Sequence, residues 1–276
     1  MVKRILVPTD GSDAAAIGMD YAIALASKYS ATLLGVHVVD VRLLEGPILR
    51  DLSASLGTAP YVNYEGNISA LLEERGKAAL SEFAERCALA GVAFESSLST
   101  GMVSRTIVER AGLCDMIVMG RGGEHNEWLE GLIGSTTEAV VRRAAQPVLV
   151  TGVSMPGDKL FLVAYDGSSH ARRALKTGAT IAADWKVPFH LLLVGDQRMG
   201  EVEAEARAYL QAHDVQVEYV RREGDPGDTI VAYAAECDAD LLVMGAYGHS
   251  KVRELVVGST TTFAINHAPC PVLLTR

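Results

Sequence analysis

Arg4-Ile5-Leu6-Val7-Pro8-Thr9-Asp10-Gly11-Ser12 returns later in the chain as Leu160-Phe161-Leu162-Val163-Ala164-Tyr165-Asp166-Gly167-Ser168. Two further recurrences share one offset of 124 residues: Gly134-Ser135-Thr136-Thr137 as Gly258-Ser259-Thr260-Thr261, and Pro147-Val148-Leu149-Val150-Thr151 as Pro271-Val272-Leu273-Leu274-Thr275. Ordered repetition of this kind indicates two copies of one structural unit. We therefore predict two domains, over residues 1–153 and 158–276.

Within each copy, short apolar runs alternate with longer amphipathic stretches. In the first copy the continuous runs, typical of strands buried on both faces, lie at 4–8, 32–39, 93–98, 116–119 and 148–151. Stretches with helical spacing lie at 14–29, 68–90, 103–111 and 136–144, with Asp13 and Ser104 as expected N-terminal caps. The second copy repeats the order, with strands near 160–164, 189–194, 216–221, 241–244 and 272–275. Such alternation predicts an α/β fold: two tandem Rossmann-like (flavodoxin-like) domains, each a five-stranded parallel sheet with helices on both faces.

The two copies differ mainly in one insertion. Asp10 and Gly120 are 110 residues apart, whereas Asp166 and Gly245 are 79 apart, and most of the excess falls in 41–67. An insertion of this length is either a lid or a surface packing element, and we favour the packing element. The short linker at 152–158 is expected to keep the domains close together.

Composition excludes several classes of function. The chain has 276 residues, enough for two cores, and its net charge of −9 comes from an excess of acids in both halves. Without a basic half, we expect neither a nucleic-acid nor a membrane partner. The four cysteines show no metal-ligand spacing, and the first apolar run is too short for a signal peptide or a membrane span, so we predict a cytoplasmic protein.

The stretch with the clearest chemistry follows the fourth strand of the second copy. Gly245-Ala246-Tyr247-Gly248 is followed, after nine residues, by Gly258-Ser259-Thr260 at the start of a helix. Glycines after a strand let the backbone approach a ligand and adopt a positive φ. Backbone N–H groups, hydroxyls and the positive end of the helix dipole all suit phosphate. The pattern therefore predicts a phosphate-binding loop at the carboxyl edge of the sheet.

Asp166 ends the first strand at the same edge, where its carboxylate can accept hydrogen bonds from ribose or from an adenine amine. Each feature also has a structural interpretation. An aspartate after a strand is commonly a turn residue, and Ser135-Thr136-Thr137-Glu138 fits a helix capping box. Their combination, present twice, favours ligand binding.

These motifs make the chain resemble a tandem member of the universal stress protein family, and the resemblance covers essentially the whole chain. The ATP-binding branch of that family carries Gly-2x-Gly-9x-Gly-Ser/Thr after the fourth strand and an aspartate after the first. The resemblance implies ATP binding with or without Mg²⁺, dimerisation and a regulatory role in the stress response. It implies a nucleotide site in the second copy formed by Asp166, Gly245, Gly248, Gly258, Ser259 and Thr260. The corresponding set in the first copy is Asp10, Gly120, Gly123, Gly134, Ser135 and Thr136.

The first copy departs from the family pattern. Ten residues, instead of nine, separate Gly123 from Gly134, and the loop 124–130 has three acids and no Lys or Arg. The loop 249–254 of the second copy has two bases and one acid. Because like charges repel a triphosphate, we rank the second copy as the better site. Arg121 or a bound Mg²⁺ would offset the acids, and a degenerate first pocket kept for packing stays an alternative.

No motif of a defined enzyme is present: the chain contains neither Gly-x4-Gly-Lys-Ser/Thr nor Gly-x-Ser-x-Gly. We expect a binding protein with weak ATPase activity at most. A slow ATP-hydrolysing or nucleotidyl-transfer enzyme and a nucleotide-free scaffold are the alternatives. His249 is a candidate ligand contact, whereas His37, His267, Trp128 and Trp185 are interpreted as core, surface or packing residues.

The last strand of each copy is expected to be an edge strand, because the flavodoxin-like strand order places it there. The two copies can satisfy these edges by pairing with each other, which would make an intrachain pseudo-dimer. A homodimer of two chains is the alternative assembly.

Overall fold

The computed structural model describes residues 2–45, 61–122, 133–152, 157–195, 199–247 and 258–276. The first half of the chain contains β1 (Arg4–Pro8), α1 (Asp13–Tyr29), β2 (Thr32–Asp40), α2 (Val41–Glu45), α3 (Tyr61–Leu89), β3 (Phe94–Gly101), α4 (Val103–Arg110), β4 (Met116–Met119), α5 (Ser135–Arg143) and β5 (Val148–Val150). The second half contains β6 (Phe161–Ala164), α6 (Ser169–Trp185), β7 (Phe189–Val194), α7 (Met199–Leu210), β8 (Val217–Arg222), α8 (Pro226–Glu236), β9 (Leu241–Gly245), α9 (Ser259–His267) and β10 (Val272–Thr275).

All ten strands form one sheet in the order β3-β2-β1-β4-β5-β10-β9-β6-β7-β8. Each half contributes five strands that are parallel to one another, so the predicted α/β, Rossmann-like fold class is confirmed. The strand order within each half is 3-2-1-4-5, so the expected flavodoxin-like order is wrong, although the last strand of each half still lies at its edge. β5 and β10 pair antiparallel at the centre, with Val150 opposite Val272 and Leu149 opposite Leu273. The last strand of each half therefore forms its missing backbone hydrogen bonds with the last strand of the other half. The edge strands of the complete sheet are β3 and β8.

The helices lie in two layers, one on each face of the sheet. Alternate residues of each central strand contribute to opposite layers: Ile5 packs into the core beneath α1, α3, α6 and α7, whereas Leu6 packs into the core beneath α4, α5, α8 and α9. Burial on both faces explains why the central strands are continuously apolar in sequence.

The two edge strands do not fit that prediction. β3 is exposed or half-exposed along its whole length, and only Val220 of β8 is buried. β3 also extends beyond the predicted 93–98, to Gly101. An edge strand has a neighbour on one side only, so its polar residues, such as those of Phe94–Gly101, reach solvent.

Two predicted helix caps are wrong. Helix α1 is capped by Ser12, whose hydroxyl accepts a hydrogen bond from the N–H of Ala15 at 3.2 Å, and Asp13 is its first helical residue. Helix α4 begins after Met102, which has no side-chain cap, and Ser104 lies inside the helix.

The insertion at 41–67 is partly helical. Helix α3 has 29 residues against 12 in α7, its counterpart in the second half, so part of the excess length is a longer helix. Residues 46–60 and 153–156 lie outside the described part, and the domain boundaries stay a prediction. No helix among the described residues is long and apolar enough to cross a membrane.

Candidate functional site

Each half has a cleft at the carboxyl ends of its parallel strands, with a volume of about 180 Å³ in the first half and about 270 Å³ in the second. The first cleft brings together the following predicted site residues: Asp10, Gly120, Gly134, Ser135 and Thr136. The second brings together Asp166, Gly245, Gly258, Ser259 and Thr260. Gly123, Gly248 and His249 lie outside the described residues, as do the charged loops 124–130 and 249–254 on which the ranking of the two sites rests.

Asp10 and Asp166 occupy matching turns at the ends of β1 and β6. One carboxylate oxygen of Asp10 accepts a hydrogen bond from the N–H of Ser12 at 3.0 Å, and Asp166 accepts one from Ser168 at 2.9 Å. The intervening glycines, at 11 and 167, have φ of +81° and +78°, a backbone conformation that other residues rarely adopt. The turn therefore fixes each carboxylate at the cleft wall. Each aspartate is both a turn residue and a residue that lines the cleft.

Gly120 and Gly245 are required for close packing rather than for a positive φ. A Cβ atom on Gly120 would lie 2.5 Å from the carbonyl oxygen of Ala14 in α1. A Cβ on Gly245 would lie 2.9 Å from the carbonyl carbon of His170 in α6. These glycines let the first turns of α1 and α6 approach the strand ends, which narrows the cleft.

Helices α5 and α9 begin at the clefts without a side-chain cap. Their N-cap residues are Gly134 and Gly258, and neither helix start has a side-chain cap hydrogen bond. The capping-box interpretation of 135–138 is therefore wrong. Helices α1 and α6 differ in this respect, because Ser12 and Ser168 cap them. An uncapped first turn presents backbone N–H groups and the positive end of the helix dipole to whatever occupies the cleft.

One buried threonine in each half holds the helix start against the glycine segment at the end of the fourth strand. The hydroxyl of Thr137 donates to the carbonyl oxygen of Gly120 at 3.0 Å. In the second half, the Thr261 hydroxyl lies 3.2 Å from the carbonyl oxygens of both Gly245 and Ala246. In each half, the glycine segment at the end of the fourth strand and the N-terminus of the following helix are thus joined by a hydrogen bond.

The opposite wall of each cleft is mainly apolar. In the first cleft it comes from Val36, Val38, Val103 and Ile107, and in the second from Leu192, Val194, Pro226 and Ile230. Apolar side chains in the same cleft as a carboxylate and a helix N-terminus suit a nucleoside phosphate, which has an apolar base and an anionic end.

His37 lines the first cleft, which the sequence interpretation missed. It is buried, and its Nδ1 lies 2.9 Å from the carbonyl oxygen of Thr9, so Nδ1 carries a proton and donates. The available signal was the lone polar side chain among residues 33–39 of β2. The matching position in the second half is Leu193, so the two clefts differ in chemistry here.

Arg121 does not lie in the first cleft. Its guanidinium donates to the backbone carbonyl oxygens of Asn266 and Ala268 in the other half, at 3.0 and 3.2 Å. The acidic loop 124–130, which Arg121 was expected to offset, lies outside the described residues. Among the described residues, no group of three His, Cys, Asp or Glu side chains is placed to hold a metal ion.

The sequence model described as "Universal stress protein family" matches residues 1–152 and 194–276 of this chain. This chain belongs to the universal stress protein family. It is similar along its whole length to the universal stress protein Slr1230 of Synechocystis sp., with 30% identity and full coverage of both chains. The universal stress protein MJ0531 of Methanocaldococcus jannaschii is 34% identical over 54% of this chain and 82% of its own length.

A solved universal stress protein from Archaeoglobus fulgidus has the same fold. Its TM-score is 0.77, with 99% of this chain and 98% of that chain covered, at 22% identity. The tandem arrangement of this family member and its Rossmann-like sheet are therefore both confirmed.

Proposed function

We propose that this universal stress protein binds an adenine nucleotide, ATP, and acts in the cytoplasm as a regulatory module of the stress response. The observation that carries the proposal is the second cleft, which is lined together by the uncapped start of α9, by Asp166 and by apolar side chains. Family membership supports the role in the stress response, and four cysteines without disulfides support the reducing environment of the cytoplasm. Burial raises the pKa of Cys87 to about 11 and that of Cys270 to about 12, so these thiols stay protonated and inert.

In the second cleft, Asp166 would accept hydrogen bonds from the adenosine. Gly245, Gly248, Gly258, Ser259 and Thr260 would hold the phosphates through backbone N–H groups and hydroxyls. The matching set in the first cleft is Asp10, Gly120, Gly123, Gly134, Ser135 and Thr136. Mg²⁺ would be held largely by phosphate oxygens and water, as it commonly is in nucleotide sites. In a protein of net charge −9, such local donors have to supply the attraction for a polyanion.

The primary test is to purify the chain gently, denature it, and identify and count the released nucleotide by chromatography. About two adenine nucleotides per chain would support both clefts and contradict the ranking of the first as weaker. About one would support a single working site. None released, together with none bound in calorimetry with Mg-ATP, would overturn the proposal and leave the scaffold alternative.

Matched variants assign the sites. Ser135→Asp and Ser259→Asp each place a carboxylate at an exposed first helical position, where it stabilises the helix but repels phosphate. We expect each variant to keep its melting temperature and to lose roughly tenfold or more of the affinity at its own cleft. Ser169→Asp is the control, because Ser169 is exposed at the start of α6 but does not line the second cleft. Steady turnover of ATP that disappears in Ser259→Asp would instead favour the enzyme alternative.

A further inference from the structure

Arg121 links the first cleft to the far end of a helix in the other half. Its side chain is half-buried, and its two hydrogen bonds go to backbone carbonyls at the C-terminal end of α9. No carboxylate in the described part of the chain forms an ion pair with it. Burial lowers the pKa of Arg121, and nearby Tyr21 and Cys270 offset this only in part. Among the described residues, the hydrogen-bond acceptors of this guanidinium are the carbonyl oxygens at the negative end of the α9 dipole.

The backbone of Arg121 makes the second half of the link. Its carbonyl oxygen accepts a hydrogen bond from the N–H of Gly134 at 2.9 Å, and Gly134 begins α5 at the first cleft. The neighbouring residues Gly120 and Gly122 line that cleft. A single residue thus contacts the helix start of one site through its backbone and the helix end of the other half through its side chain.

The reverse connection starts in the second half. Tyr247 lines the second cleft, and its hydroxyl donates to the carbonyl oxygen of Arg142 at 3.0 Å. Arg142 lies in the last turn of α5, whose first residues line the first cleft. Arg276 supports the same helix end by donating to the carbonyl oxygen of Arg143 at 3.4 Å.

These contacts form a closed circuit. Arg121 stands between Gly120 and Gly122 of the first cleft, and its side chain binds the end of α9, whose start lines the second cleft. The second cleft contains Tyr247, which holds the end of α5, and the start of α5 lines the first cleft. Each of the two helices has nine residues and therefore spans roughly 13 Å as a rigid rod. A displacement or ordering at one helix start is transmitted to its other end, which is anchored on the opposite site.

We propose that the two clefts are energetically coupled through Arg121 and Tyr247, so that nucleotide bound in one raises the affinity of the other. This inference rests on the proposed nucleotide binding and adds its regulation. A ligand in the first cleft fixes the segment 120–122, which fixes the guanidinium of Arg121 and the helix α9 that it holds. The second ligand then finds its helix start already ordered and loses less conformational entropy on binding. The coupling has to be reciprocal, because linkage acts equally in both directions.

The test is a set of calorimetric titrations with Mg-ATP. Wild type gives the affinity of the first cleft while the second is filled, and Gly258→Val gives it while the second is blocked. A Cβ on Gly258 would meet no protein atom closer than 3.5 Å, so the substitution causes no backbone clash at that atom, and circular dichroism checks that the variant is folded. We expect the first cleft to bind roughly fivefold more weakly in Gly258→Val than in wild type, at the lower end of known couplings. The same comparison is then made in a chain that also carries Arg121→Met and Tyr247→Phe.

In that background the ratio of the two first-cleft affinities should fall to about one, and the first cleft, which neither Arg121 nor Tyr247 lines, should still bind nucleotide. If circular dichroism shows that the combined variant is unfolded, Tyr247→Phe alone, which removes one hydroxyl, should lower the ratio at least twofold. A ratio of one in wild type, or an unchanged ratio after the substitutions, would overturn the coupling and leave the proposed function intact. Failure of either cleft in the wild-type chain to bind nucleotide would overturn the coupling, and failure of both would overturn the proposed function as well.

Discussion

Leu149 of β5 lies directly opposite Leu273 of β10, and the two leucines are the same residue of the repeated unit. They are separated by the offset of 124 residues that relates the ends of the two copies. A repeat whose equivalent residues face each other in an antiparallel pair has a local two-fold axis between them. The tandem chain thus forms, within one polypeptide, the isologous contact that a symmetric dimer forms between two.

The local symmetry predicts matched effects of truncation. Leu149→Ala and Leu273→Ala should each lower the free energy of unfolding by about 2–5 kcal/mol, because both side chains are almost fully buried in one core. Chemical denaturation followed by circular dichroism measures this. Leu113→Ala, at a residue 88% exposed, should change stability by less than about 0.5 kcal/mol. Effects that differ widely between the two leucines would contradict an equivalent environment.

Tyr29 and Trp185 join the helices α1 and α6 of the two halves. The indole N–H of Trp185 donates to the Tyr29 hydroxyl at 2.8 Å, and the Lys28 ammonium lies 3.7 Å from the centre of the indole ring. Burial raises the pKa of Tyr29 from 10.0 to about 12, although the hydrogen bond from Trp185 acts in the opposite direction. The neutral phenol is therefore the form that the folded state stabilises.

This shift makes stability fall at high pH. The contribution of Tyr29 should be complete below about pH 10 and lost as the pH rises toward 12, because the unfolded chain ionises first. The slope from this one group is at most about 1.4 kcal/mol per pH unit. Denaturation curves of wild type and Tyr29→Phe, measured side by side across that range, isolate it. Parallel pH profiles of the two proteins would show that the Tyr29 phenol ionises equally easily in both states.

Gly120 should not tolerate a side chain. A Cβ there would lie 2.5 Å from the carbonyl oxygen of Ala14, so Gly120→Ala should cost about 1–3 kcal/mol through forced displacement of α1. The control is Gly112→Ala, where a Cβ would meet no atom within 4 Å. Differential scanning calorimetry compares the two melting temperatures. A Gly120→Ala protein as stable as wild type would show that α1 is free to move away from β4.

Thr261 should matter both for stability and for binding. Thr261→Val keeps the shape of the side chain but removes the hydroxyl that donates to the buried carbonyl oxygens of Gly245 and Ala246, at a cost of about 1–3 kcal/mol. Because the hydroxyl holds the start of α9 to the glycine segment, affinity for Mg-ATP should also fall several-fold, as measured by calorimetry. Thr180→Val is the control, since Thr180 is exposed and its hydroxyl bonds within its own helix. Unchanged affinity would mean that this hydroxyl does not organise the site.

The sequence predicts most of the fold because the central strands are buried on both faces. Runs such as Ile5-Leu6-Val7 have no helical interpretation of comparable strength, and their repetition confirms the order of elements. The exposure of the edge strand Phe94–Gly101 was not predicted, because it depends on the position of the strand at the edge of the sheet. The start of α1 was misplaced by one residue, because Ser12 and Asp13 are both good capping residues. Helix α3 begins at Tyr61, seven residues before the predicted 68.

The candidate site was predictable where local backbone chemistry determines it. Asp166 and Gly258 meet in one cleft because parallel strands end at a common edge. His37 was missed and Arg121 was misplaced, because local backbone chemistry does not determine their contacts. Their partners, Thr9 and the last turn of α9, become neighbours only through packing between strands and between halves.

The central position of β5 and β10 also has a consequence for biosynthesis. Leu149 is translated 124 residues before its partner Leu273, which corresponds to roughly 6–25 s at ordinary elongation rates. Throughout that interval the nascent chain presents Val148–Val150 as a bare apolar edge beside an otherwise completed half-sheet. On a polysome, the same edge of a neighbouring nascent chain is its closest chemical match. Slow translation of the second half should therefore increase strand-exchanged oligomers, and timely synthesis of β10 protects against them.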